Sequence, residues 1–306
     1  DEGAIADEGR VEGGKAGVFV GRTTSEVGFD ESGIFLESCG QTGDDDTLRE
    51  LRGRRRQRWC EVAIDEDQLI VHFQPKLHLA SDRIGSAEAL VRWQHPVRGL
   101  VSPGEFLSVA RQTGLIADIG EYVLDEACRQ LRSWRDGGYD LRSVAVNMSG
   151  FWMERGDIVA RVQHALERYA LPPECLELEV TEDEMMHFGE KGVALLDRLA
   201  ALGVGLAIDD FGTGYSSLSY LRRFAADALK IDISFVRDML DNHHDRAIVQ
   251  TIIAMANTLE MKTLAEGVES AEQAALLAEM GCNQAQGYWF GRPLPADEFA
   301  RTWLNG

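Results

Sequence analysis

Cysteine is scarce and disorganised. The five in this 306-residue chain, Cys39, Cys60, Cys128, Cys175 and Cys282, are odd in number and form no C-x-x-C pair. That pattern argues against a disulfide framework and a thiolate zinc site, and it fits a reducing cytoplasm. No apolar run approaches the roughly 18 residues needed to span a bilayer, and no secretory leader is read, so no membrane segment is expected. Positive charge is short as well: 31 Lys and Arg stand against 51 Asp and Glu, a formal net charge of −20. A protein that grips a nucleic-acid polymer by neutralising phosphates needs the opposite sign. If the substrate is an anion, bound metal cations are the obvious attraction. The seven histidines show no metal-ligand spacing, and the adjacent His243 and His244 read as an exposed loop pair.

The acid is unevenly spread. Residues 1–47 hold twelve acidic and three basic residues, a net of −9, together with ten glycines; the remainder carries −11. Such a stretch lacks the apolar periodicity to join a core and reads as a flexible acidic, glycine-rich tail. Residues 48–66 include the basic run Arg52–Arg58. Acids flank it on both sides, which favours a solvated helical linker, over about Thr47 to Ile64, above a nucleic-acid patch.

Residues 67–306 form the catalytic domain on this reading, and there strands alternate with helices. Leu69–Leu79 and Arg83–Trp93 read as an antiparallel pair joined at Ser81 and Asp82. Helices over Pro103–Gly114 and Ile116–Gly137 lead to strand Val144–Met148, helix Asp157–Tyr169 and strand Leu176–Thr181. Helix Lys191–Leu202, strand Val204–Ile208, a short helix near Ser217–Phe224 and strand Ala228–Ile231 follow. Helix Asp245–Leu259, strand Lys262–Ala265, helix Ala271–Met280, strand Ala285–Phe290 and a closing helix near Ala296–Trp303 complete the series. Eight strands with interposed helices predict an α/β fold, a modified TIM (β/α)8 barrel with an antiparallel first strand.

Polar side chains recur at or near the C-terminal ends of these strands: Gln74, Glu88, Asn147, Glu179 with Glu182, Asp209 with Asp210, Lys230 with Asp232, Glu266 with Glu269, and Gln286. Barrel enzymes keep their ligands at that rim. Adjacent strand residues face opposite ways, so Asp209 and Asp210 are expected where the strand ends and the chain turns into Gly212-Thr213-Gly214. Taken alone, the aspartate pair also suits a solvated turn. Charged groups recurring at five of these strand ends, with amides at the other three, do not, because charged groups are rarely buried unless paired or metal-bound. The donors are nearly all oxygen, which selects hard ions such as Mg²⁺ or Mn²⁺ over Zn²⁺. Two adjacent carboxylates suit a two-metal site and in-line hydrolysis of a phosphodiester, with Lys230 supplying fixed positive charge.

At this point Glu88-Ala89-Leu90, followed by Val91-Arg92-Trp93, resembles the signature of the EAL-domain cyclic di-GMP phosphodiesterases. The set that follows in order makes the resemblance specific: Phe73-Gln74-Pro75-Lys76, Val146-Asn147-Met148-Ser149, Glu179-Val180-Thr181-Glu182, Asp209 to Ser217, Leu229-Lys230-Ile231-Asp232, Ala265-Glu266-Gly267-Val268-Glu269 and Gln286-Gly287-Tyr288. It covers about residues 60 to 304. By that resemblance, cyclic di-GMP would be cut to linear pGpG with two Mg²⁺ or Mn²⁺ ions per active site; Ca²⁺, which takes more oxygens at longer distances, is expected to bind and inhibit. Glu88, Asn147, Glu179 and Asp209 would hold the first ion; Asp209 would be shared with a second, held also by Asp210 and Glu266. Lys230 would orient or activate the water, placing it with Glu266 and Glu88 among the catalytic residues. Gln74, Leu90, Arg92 and Gln286 would contact substrate, Glu182 and Thr213 would anchor the loop after Asp210, and the resemblance implies a homodimer through the barrel. Ser86, Ile233 and Asn283 depart from the family pattern where Gly, a basic residue and Asp are frequent; none is an implied ligand. A catalytically silent cyclic di-GMP receptor on the same fold is the alternative, although such receptors typically lack some of these carboxylates.

Overall fold

The sheet begins as a hairpin. Strand β1 (Leu69–His78) pairs antiparallel with β2 (Arg83–His95) from Leu69↔Trp93 to His78↔Arg83. The computed structural model describes residues 63–64, 66–155, 157–214, 221 and 223–305. The expected tail, nearly all of the linker and most of the short helix near Ser217–Phe224 lie outside these residues. Every described residue belongs to one unit, Thr42–Gly306.

Alternation explains how β1 serves two environments at once. Phe73, fully buried, packs edge-on against Trp134 with ring centroids 4.8 Å apart. Its neighbours Gln74 and Lys76 point the other way, into the barrel, where both meet polar partners. Strand β2 runs further than expected and pairs through Trp93↔Val101 with a short strand β3 (Gly99–Val101) that the sequence pattern does not announce.

The remaining ring strands all run parallel to β2. They are β4 (Ser143–Asn147), β5 (Leu176–Thr181), β6 (Gly205–Phe211), β7 (Ala228–Ile231), β8 (Lys262–Ala265) and β9 (Gln284–Ala285). Antiparallel pairing of β9 with β1, Leu77↔Ala285 and His78↔Gln284, closes eight strands into a barrel. A tenth strand, β10 (Leu294–Pro295), lies outside the ring against β1. The fold is therefore the modified (β/α)8 barrel expected, with one strand opposed to the other seven.

Helices cover the outside: α1 (Pro103–Thr113), α2 (Ile116–Asp136), α3 (Gly150–Glu154), α4 (Ile158–Arg168), α5 (Glu182–Leu202), α6 (Ile233–Asp238), α7 (His243–Thr258), α8 (Ala271–Glu279) and α9 (Ala296–Phe299). Helix α4 buries Ile158, Val162, Ala165 and Leu166, a single stripe at helical spacing. Helix α8 starts on a reciprocal cap between Ser270 and Gln273. No helix among the described residues is long and apolar enough to cross a membrane.

Three expectations need correction. The helix expected at Lys191 begins nine residues earlier, at Glu182, and kinks at Gly189. Thr181 caps it by accepting from the Glu184 N–H, so strand runs directly into helix. Expected strand Ala285–Phe290 leaves the ladder after Ala285 because Val268 takes over its hydrogen bonding: the Val268 N–H donates to Gln286 and the Trp289 N–H to Val268. A Cβ at Gly287 would sit 2.1 Å from the Val268 oxygen, so only glycine permits that approach. Finally, β6 does not stop at Ile208 but continues to Phe211.

Candidate active site

The continuation of β6 is what brings two adjacent aspartates to one site. Ile208 pairs with Leu229 and Phe211 with Ile231, so Asp209 and Asp210 together stand opposite Lys230 alone. This is a β-bulge, and Asp210 takes it up with a left-handed φ of 53°. The pair lies at the end of the strand, as expected, but the strand does not stop at Ile208; an extra residue re-aims the second side chain. Asp209, Asp210 and Glu266, the last just past β8, each offer an oxygen within 4.8 Å of the others.

Lys230 sits at the centre, 1% exposed. Its Nζ lies 2.6 Å from Glu179 Oε2, 2.8 Å from Glu266 Oε1, 3.0 Å from Asp209 Oδ2 and 3.9 Å from Glu88 Oε1. Burial works against its charge, but Glu179, Glu266 and Glu88 outweigh burial and hold the ammonium well above its ordinary range. Lys230 is thus held as an ammonium that donates hydrogen bonds to the surrounding carboxylates.

One ammonium does not satisfy so many acids. Burial pushes Glu88 up, and Glu179 adds to the push. Burial also raises Glu266 to about 8, Lys230 opposing and Asp209 and Glu88 assisting. Asp210 rises to about 6 through burial, then Asp209 and Asp232. Glu179 alone falls, to about 2, because the ammonium groups of Lys230 and Lys76 overcome its burial. The site is short of positive charge.

A chain of amides adjoins the acids. Asn147 Nδ2 donates to Glu88 Oε1 at 2.7 Å, and Gln286 Nε2 donates to Glu88 Oε2 at 2.6 Å and to Gln74 Oε1 at 2.9 Å. Gln74 in turn donates to the Gly291 carbonyl. The buried Gln286 Oε1 has no hydrogen-bond partner. Gln74, Glu88, Leu90, Asp209, Glu266 and Gln286 line a cavity of about 310 Å³, with Ile233, Glu269 and Tyr288 at its wall.

The barrel thus gathers Gln74, Glu88, Asn147, Glu179, Asp209, Asp210, Lys230, Glu266 and Gln286, with Leu90 beside them. Arg92 is different: its guanidinium donates to the Val91 carbonyl and makes no hydrogen bond to a site carboxylate. Glu182 Oε2 accepts from the Gly212 N–H at 2.9 Å, and Thr213 Oγ1 donates to the Asp210 carbonyl at 2.8 Å, both in the loop after the bulge. Asp232 caps α6, accepting from the Ser234 N–H. Sequence reasoning gave no role to Lys76, although it lies two residues beyond Gln74 on a strand and so must share its inward face. Tyr288, quoted only as part of a motif, and Ile233, noted only as a departure from the family pattern and lying against Gly267, were likewise given no site role.

A family model described as EAL domain matches residues 57–293. A curated relative in Pseudomonas aeruginosa, the bifunctional diguanylate cyclase/cyclic di-GMP phosphodiesterase MucR, is 44% identical over 264 residues, covering 86% of this chain and 38% of MucR. The cyclic di-GMP phosphodiesterase NbdA of the same organism is 45% identical over 275 residues, 87% of this chain and 35% of NbdA. This chain therefore spans little more than a third of those relatives. A solved structure of the PaMucR phosphodiesterase in complex with c-di-GMP matches with a TM-score of 0.78 at 45% identity, covering 80% of this chain and 99% of that one.

Proposed function

The chain belongs to the EAL domain family, and from that membership we propose that it is a cyclic di-GMP phosphodiesterase that yields linear pGpG. The observation that carries this reading is the central one: Lys230 ringed by Glu88, Glu179, Asp209 and Glu266, with Asp210 brought alongside by the bulge. Relatives named as phosphodiesterases, and one solved with c-di-GMP, support the substrate.

The donor set suits divalent cations. Four carboxylates ring Lys230 with Asp210 beside them, and burial and mutual repulsion hold Asp210 and Glu266 above their ordinary range, so a hard cation relieves the site. Glu88, Asn147, Glu179 and Asp209 would hold one Mg²⁺ or Mn²⁺, and Asp209, Asp210 and Glu266 a second, with Ca²⁺ inhibitory. Bound cations supply charge neutralisation for the phosphodiester and lower the pKa of the attacking water.

The chain's own groups do the rest. Lys230 presents a fixed ammonium toward which the attacking water can turn a lone pair or a phosphoryl oxygen its developing charge. The network through Gln286 and Gln74 fixes Glu88 from the side opposite Asn147. Leu90 and Tyr288 give the cavity an apolar wall, and Gln286 Oε1 offers an unused acceptor. Glu182 and Thr213 hold the loop that follows the bulge. Arg92 is assigned to support of the substrate subsite through its bond to the Val91 carbonyl, next to Leu90. A homodimer through the barrel and a cytoplasmic location complete the proposal.

Incubation with cyclic di-GMP and Mn²⁺, with and without a chelator, tests it. Chelator-sensitive pGpG is expected. Tight binding of cyclic di-GMP without turnover would favour the silent-receptor reading.

A further inference from the structure

A second buried ammonium lies under the site and takes no part in the chemistry above. Lys76 is 1% exposed, like Lys230. Strand β1 runs against the other ring strands, so two residues beyond Gln74 leads deeper into the barrel. On β5, alternation turns both Glu177 and Glu179 inward. Lys76 reaches across the interior to both, its Nζ 2.7 Å from Glu177 Oε1 and 2.5 Å from Glu179 Oε1.

Glu179 is therefore held from two sides, Oε1 by Lys76 and Oε2 by Lys230. The two grips differ. If Lys230 lets go of Glu179, it still has Glu266 at 2.8 Å and Asp209 at 3.0 Å. Among the described residues Lys76 has only Glu177 to fall back on, so losing Glu179 leaves a buried ammonium with a single partner, the costlier loss. An arriving cation can therefore free only Oε2.

We infer that Lys76 is a positioning residue that limits Glu179 to a single oxygen for a bound cation and thereby tunes the site toward small ions. The inference rests on the proposed cation site. A one-oxygen carboxylate suits the near-octahedral shell of Mg²⁺ or Mn²⁺. Ca²⁺ takes about six to eight oxygens and readily accepts both from one carboxylate.

The test is calorimetric titration of the full chain with Mn²⁺ and, separately, Ca²⁺, without cyclic di-GMP. In Lys76→Met, Mn²⁺ affinity should fall at least about tenfold, the lower end for losing a partner of a ligand. Ca²⁺ affinity should hold or rise, because Glu179 can then offer both oxygens. Lys76→Arg should restore part of the preference for Mn²⁺. Equal losses for both ions, or unchanged affinities in a folded variant, would overturn the inference. Glu177→Gln keeps the Lys76–Glu179 bond at a half-open position and protects the test if Lys76→Met does not fold. It should retain the wild-type ratio of Mn²⁺ to Ca²⁺ affinity, and a shift toward Ca²⁺ would refute the role given to Lys76. Wild-type protein that binds neither ion would instead overturn the cation site itself.

Discussion

Replacing Glu182 by alanine should weaken cation binding without touching a ligand. Glu182 is 4% exposed, and its Oε2 accepts from the Gly212 N–H at 2.9 Å. Gly212 has a φ of 98°, open to glycine and to little else, and it follows the bulge by one residue. Asp210 is pinned from three directions: its own N–H donates to Asp209 Oδ1, its carbonyl accepts from Thr213, and the Glu182 contact holds the turn beyond. A hydrogen bond to a charged group contributes roughly 1.5–3 kcal/mol. If all of that holds Asp210 in its left-handed conformation, its loss raises the Mn²⁺ concentration for half-maximal hydrolysis about 10- to 100-fold, at ~1.4 kcal/mol per decade. Glu182→Gln keeps an acceptor oxygen without the charge and should fall between. The assay is Mn²⁺ titration of pGpG formation, with hydrogen exchange of residues 209–214 in parallel. An unchanged Mn²⁺ requirement in a folded Glu182→Ala variant would refute the loop-anchor role.

Asp209→Ala removes the carboxylate assigned to both ions, so turnover should vanish while circular dichroism stays unchanged; activity within about tenfold of wild type, a barrier difference of ~1.4 kcal/mol, would show that it is not shared. Lys230→Met should destabilise the metal-free fold by about 3–5 kcal/mol, since it strands buried acids, and added Mn²⁺ should recover much of the melting temperature; a variant as stable as wild type in chelator would contradict the central position of Lys230. Glu266, raised to about 8, and Asp210, raised to about 6, keep protons that the unfolded chain has released above the ordinary values of 4.5 and 3.8. Metal-free stability should therefore fall as pH climbs from about 4.5 to about 8, and denaturation midpoints that rise over that window would be incompatible. Ca²⁺ added to a Mg²⁺ reaction should suppress pGpG formation, because its longer bonds misplace the water and about 1 Å can cost a hundredfold; full turnover with Ca²⁺ alone would overturn the two-ion account.

Local patterns made most of the barrel legible. Strand and helix patterning gave the hairpin Leu69–Leu79 with Arg83–Trp93, and periodic apolar residues gave helix α4. The site's membership was also readable, because an acid inside an apolar strand is costly to bury unless a cation pairs with it. What escaped depends on contacts distant in sequence. The Asp209–Asp210 pair conflicts with alternation, and the sequence pointed only to a strand end; the pairing of Phe211 with Ile231 shows a bulge there. Strand β9 is short because Val268 captures the backbone beyond it, a contact no local signal announces. Lys76 looked like one more strand residue until β5 brought Glu177 and Glu179 across the barrel.

Charge then links binding to catalysis. The chain carries a net −20, and Glu88, Asp209 and Glu266 line the proposed substrate cavity, with Glu179 and Asp210 beside them. Both buried ammonium groups beneath it are already engaged by carboxylates. A phosphodiester entering that cavity without cations would meet uncompensated negative charge at low dielectric, where repulsion is strongest. Arg92, just past the signature in sequence, donates to the Val91 carbonyl and makes no hydrogen bond to the carboxylate ring. A receptor that bound the same anion without turnover would need its own cationic contacts in place of the ligand acids. Here the acids remain, so substrate affinity and turnover should both depend on the same bound ions.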